Sequence, residues 1–90
     1  MHDRSAQEAY LGKVQGLRIA VTDALPPDAF THVDSLIEHG EPAEGVCSLA
    51  WALHNAKVSV PSWVNEAITS LTESLIDPAH MPPRLPEIET

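Results

Sequence analysis

Cys47 is the only cysteine in the chain, so no intrachain disulfide can form and nothing in cysteine usage points to an oxidising compartment. Long apolar runs are absent too. The opening residues MHDRSAQEAY contain no hydrophobic segment of signal-peptide type, and no stretch approaches a membrane span. These features lead to the expectation of a cytoplasmic protein with no membrane partner. Aromatic residues are few (Tyr10, Phe30, Trp51 and Trp63), so a core must be built chiefly from Leu, Val, Ile and Ala. Positive charge is scarce: five Lys and Arg stand against thirteen Asp and Glu, for a formal charge of −8. A field of that sign repels phosphate backbones and anionic lipid, which disfavours nucleic acid as a partner. It is compatible with plain solubility and with a basic protein partner drawn in over long range.

What is present is helical periodicity, interrupted by proline. Tyr10, Val14, Leu17 and Val21 form one stripe behind a Ser5–Glu8 capping box, which predicts a first helix to about Asp23. Leu25-Pro26-Pro27 stops it. Pro27 or Asp28 opens a second helix with Phe30, Val33, Leu36 and Ile37 on its apolar face. Gly40 after His39 reads as the residue just past that helix, and Pro42 as the first turn of a third. Val46, Leu49, Ala50 and Leu53 carry the third helix to Asn55–Lys57. A fourth starts at Ser62, repeats Val64, Ile68, Leu71 and Leu75, and ends at Asp77-Pro78. The expected fold class is therefore all-α: a compact bundle of four amphipathic helices over residues 1–78. Residues 79–90 form a proline-rich C-terminal tail, either draped on the bundle or disordered.

No constellation in this pattern carries catalytic chemistry. His32 and His39 lie two turns apart, and no His-x3-His, HExxH or Cys/His spacing of a zinc site occurs, so neither metal nor cofactor is expected. Cys47 and His54 are separated by two helical turns with no orienting group. A lone cysteine beside an apolar stripe more often acts as a small hydrophobe. Ser48, Ser59 and Ser62 lie outside any nucleophile elbow. Gly40 and Gly45 read as helix punctuation and an interior glycine, not a phosphate loop. The chain is expected not to be an enzyme.

That leaves surface as the candidate functional element. Asp34, Glu38, Glu41 and Glu44 bracket the junction between the second and third helices, where their fields add. Glu66 and Glu73 mark a second acidic strip on the fourth helix. Trp51 and Trp63 each sit beside a stripe, as half-buried core or as exposed anchors for a partner. These eight residues are the candidate partner-binding set, each weighed against an ordinary solvated helix face.

Residues 35–71, SLIEHGEPAEGVCSLAWALHNAKVSVPSWVNEAITSL, resemble the core of Maf-type small immunity proteins of bacterial polymorphic-toxin loci. The likeness lies in the phrase Leu36-Ile37-Glu38-His39-Gly40-Glu41, followed by Val46, Leu49, Leu53 and Pro61. Pro42 and Cys47 depart from the pattern, and the first helix and the tail lie outside it. The resemblance implies a non-enzymatic inhibitor that binds and neutralises a cognate toxin. A basic, nuclease-like toxin would meet carboxylates in place of phosphates. The alternative is a helical adaptor or regulatory domain, homodimeric through an apolar helix face.

Overall fold

Apolar residues at alternating spacings of three and four put one continuous stripe on each helix, and burying those stripes against each other gives the architecture. The computed structural model describes residues 4–88. Among them are four α-helices: α1 (Arg4–Ala20), α2 (Thr31–Glu38), α3 (Pro42–Asn55) and α4 (Ser62–Thr72). Short 3-10 turns occupy Thr22–Ala24, Pro27–Phe30 and Pro78–His80. The fold is an all-α bundle, with α3 packed against the other three helices. Val14, Leu17, Phe30, Val33, Val46, Leu49, Leu53, Val64, Ile68 and Leu71 form one core, and Leu53 at its centre is 0% exposed.

The joint between α2 and α3 is built as the sequence suggests. Gly40 takes φ +82, a left-handed conformation that costs glycine little. The Glu41 N–H donates to the Leu36 carbonyl at 2.9 Å and the Gly40 N–H to the Ile37 carbonyl at 3.4 Å. That pair of bonds is a Schellman motif, and it satisfies carbonyls the helix end leaves open. Pro42 follows at the first turn of α3, where its missing N–H has no partner to lose. The Glu41 carbonyl then accepts from the Gly45 N–H at 3.0 Å.

Several boundaries differ from the periodicity. α1 is already helical at Arg4, so Ser5 lies inside the helix and does not cap it. α1 ends at Ala20, and Val21 reaches the core from the turn that follows. α4 stops at Thr72, well short of Asp77. The Thr72 hydroxyl donates back to the Ile68 carbonyl at 2.7 Å, Glu73 turns to an extended conformation, and Ser74 takes φ 66. Leaving helical register there exchanges the two side chains that follow. Leu75, expected in the core, is 61% exposed, and Ile76 is buried instead.

Gly45 is more than an interior glycine. It is buried where α2 crosses α3, and a Cβ there would sit 2.9 Å from Ile37 Cγ1 and 3.4 Å from the Val33 carbonyl oxygen. Ile37 Cγ1 lies next to its own Cβ and must shift even for one methyl, and the Val33 backbone cannot move for a branched group. Gly45→Val is expected to lower stability by about 1–3 kcal/mol through overpacking. Urea unfolding checks this, and a variant as stable as the parent would show that the crossing is not tight.

The tail residues through Ile88 are draped on the bundle. Leu85 is buried in the core, and Val60 pairs with Glu87 as an isolated parallel bridge. The Asp77 carboxylate accepts from the Ala79 N–H at 2.9 Å, which caps the turn that begins this segment.

Candidate functional site

The acidic corner is assembled by the joint just described. Glu38 is the last residue of α2, Glu41 precedes α3, and Glu44 lies in the first turn of α3; all three are exposed. Among the described residues, no Lys, Arg or His approaches any of the three within ion-pair distance. Their helix environments differ. Glu41 and Glu44 lie at the positive end of α3, which favours their charge, whereas Glu38 lies at the negative end of α2, which opposes it.

Asp34 belongs to a different arrangement. Arg18 of α1 grips its carboxylate with two bonds, Nε to Oδ1 at 2.8 Å and Nη2 to Oδ2 at 3.1 Å. The same guanidinium lies 3.6 Å over the Phe30 ring and donates from Nη1 to the Thr22 hydroxyl at 3.0 Å. Arg18 therefore ties α1 to α2, and Asp34 contributes little unpaired charge to the corner. The hydrogen bonds from Arg18 hold the Asp34 carboxyl below the usual carboxylate range; burial opposes them, and the guanidinium charge adds a lesser lowering. A carboxyl whose pKa is lower folded than unfolded stabilises the fold above its unfolded pKa of about 4, and this contribution fades as pH falls through the folded value. Asp34→Asn is therefore expected to cost less than about 1 kcal/mol at neutral pH, because the pair is partly exposed. The gap between variant and parent should close in acid. Unfolding curves of both proteins along a pH series read this directly; a gap that persists below the carboxylate range would contradict it.

The tryptophans have separate settings. Trp51, 37% exposed, donates its indole N–H to the His80 carbonyl at 2.7 Å and meets the His54 ring edge-on at 5.6 Å. It thus pins the start of the tail to α3. Trp63, 46% exposed, borders a shallow groove between α1 and α4 with Lys13, Gly16, Leu17 and Ala67. A Cβ at Gly12 or Gly16 would touch nothing within 4 Å, so neither glycine serves close packing inside the chain. Glu66 and Glu73 are exposed on α4 and just beyond its end. The candidate residues therefore do not form one patch. Glu38, Glu41 and Glu44 share a joint, Asp34 on α2 is turned to Arg18, Trp51 lies on α3, and Trp63 and Glu66 lie on α4 with Glu73 just beyond its end.

Cys47 is buried, with its thiol directed to the His80 carbonyl at 3.7 Å. Burial, then the nearby Glu44 charge, pushes the thiol pKa up, away from the thiolate a nucleophile needs. Among the described residues, no group of three or more His, Cys, Asp or Glu is placed to hold a metal ion. No described helix is long and apolar enough to cross a membrane.

Two structural contacts escape a reading of the sequence, although the spacing places Tyr10 on the first stripe. Asn65, 4% exposed, clasps the tail backbone at Leu85, and Tyr10 donates its hydroxyl to the Leu71 carbonyl, joining α1 to the end of α4. Burial raises the Tyr10 pKa. A signal for Asn65 was present: Asn65, Ile68 and Thr72 share one face of α4, and a polar residue at such a position needs a buried partner.

No family model, no curated protein and no solved structure matches this chain.

Proposed function

We propose that this chain is a non-enzymatic binding protein whose acidic corner neutralises a basic protein partner, in the manner of an immunity protein blocking a nuclease-like bacterial toxin. The observation that carries the reading is the set Glu38, Glu41 and Glu44: three exposed carboxylates on a rigid helix joint, with no described cation in ion-pair reach. A joint fixed by a Schellman motif and a proline holds charge in place without further loss of backbone freedom on binding. Glu38 adds a local argument, because it is opposed by its own helix end and would be relieved by a partner's Lys or Arg. The likeness of residues 35–71 to Maf-type immunity proteins supplies the toxin half of the reading. Its test is the association rate with the copurifying partner, measured against salt for the parent and for Glu38→Lys/Glu41→Lys.

A second reading rests on the α1–α4 face, where Trp63 and Ile19 are exposed beside the open sides of Gly12 and Gly16. A homodimeric adaptor would bury this face against a second copy. Mass that rises with concentration, unaffected by the charge reversal, would favour it over the acidic corner.

A further inference from the structure

The Arg18–Asp34 clasp ties α1 to α2 near the end of α1, and nearer its start α1 lines an open hollow with the α2–α3 joint. Ala6, Tyr10 and Leu11 come from α1, Ile37 from α2, and Gly40 and Pro42 from the joint. The hollow measures about 530 Å³, ample for one large side chain. Its walls are mostly carbon. Tyr10 commits its hydroxyl to the Leu71 carbonyl, and Ile37 is packed on the core and against Gly45. Leu11 differs from both: it is half-buried, yet among the described residues it belongs neither to the core nor to the side chains packed on it. One such leucine would be ordinary on any surface; as a wall of a concave apolar site it is available to a partner.

Charge says what kind of segment can enter. Glu38 adjoins Ile37 in the chain, and Glu41 stands between Gly40 and Pro42, so two exposed carboxylates without a described cation in ion-pair reach are joined directly to the lining residues. An acidic segment would set like charge against them, and a second copy would bring its own net charge of −8 to the same place. An apolar centre beside polar groups that stay wet is the anatomy of a binding hot spot. We propose that this hollow is the anchor pocket of the acidic corner: it takes one large apolar side chain, phenylalanine or leucine, from a surface segment of a basic protein in which Lys or Arg flanks that side chain. The inference rests on the binding role proposed for the corner and adds what charge alone does not supply. The carboxylates speed the encounter, and the anchored side chain slows departure.

The test titrates the full chain with capped synthetic peptides that carry phenylalanine between paired lysines, alanine between paired lysines, or phenylalanine between paired glutamates. The phenylalanine–lysine peptide is expected to bind about tenfold more tightly than the alanine–lysine peptide, with NMR shifts at the Leu11 and Gly40 amides. In Leu11→Asn that advantage should shrink to less than about threefold, while the alanine–lysine peptide binds as it does to the parent. In Glu38→Lys/Glu41→Lys both lysine peptides should weaken and the ratio between them should persist. Leu11 lies outside the core, so its variant should keep the parent's helix content by circular dichroism; if it does not, the two lysine peptides on the parent chain still decide. Equal affinity of those two for the parent, with binding lost on charge reversal, overturns the anchor pocket and leaves the acidic corner standing. Binding of both that charge reversal leaves unchanged counts against the corner as well. A glutamate-flanked peptide that binds as tightly as its lysine counterpart overturns the basic partner, and shifts confined to the α1–α4 groove beside Trp63 overturn the location.

Discussion

Leu53→Ala is expected to lower the unfolding free energy by about 2–5 kcal/mol, the range for removing a fully buried leucine when the surroundings only partly close the cavity. Leu53 is 0% exposed in the last turn of α3, and α3 packs against all three other helices. The lost methylenes therefore leave a void lined from several sides, where no single helix can move inward without opening another contact. A domain of this length has roughly 5–13 kcal/mol in total, so the loss is a large share of it. Urea unfolding should show a lower midpoint with little change in slope. Leu75→Ala is the matched control: the same chemical change at an exposed site should stay within about 0.5 kcal/mol. A Leu53→Ala loss as small as that of Leu75→Ala would mean that the core closes around the deletion.

The largest functional effect is expected from Glu38→Lys/Glu41→Lys. Two reversals move the formal charge from −8 by +4 to −4, and all of that change falls on one joint. Electrostatic steering accelerates association by about 10- to 1,000-fold, so the double variant should bind the proposed basic partner roughly ten- to a hundredfold more slowly at low salt. The difference should narrow as salt shortens the screening length from about 10 Å at 0.1 M to about 3 Å at 1 M. Folding should be nearly untouched, because lysine suits the negative end of α2, while losing a favourable carboxylate before α3 costs about 0.3–1 kcal/mol. Asp34 is left out of the variant deliberately, since reversing it would break the clasp on Arg18 and confuse binding with stability. An unchanged rate with an unchanged salt slope would remove the corner as the docking surface.

The parts legible in the sequence are those governed by neighbours along the chain. Three-and-four spacing placed the stripes of all four helices, and the Gly40 and Pro42 pair marked the α2–α3 joint, because caps and first turns depend on residues within one helical turn of each other. The same reading carried α4 too far. Leu75 continued the apolar spacing, but nothing in the spacing records that Thr72 bonds back to Ile68 or that Ser74 turns left-handed.

Chemistry between distant residues was the work of the tertiary structure alone. Asp34 looked like one of four surface carboxylates until α1 brought Arg18 against it, sixteen residues away in the chain. Trp51 stood open between half-buried core and partner anchor, and its indole is engaged by the His80 carbonyl; Gly45 looked incidental and lies where two helices cross. The tail carried two open readings, and Leu85 in the core with Asn65 on its backbone chose between them. The physical reason is the range of the forces involved. Helix start, stop and amphipathic face follow from backbone geometry over a few residues, whereas ion pairing, close crossing and tail docking depend on which faces meet, and that is settled only when the whole core closes.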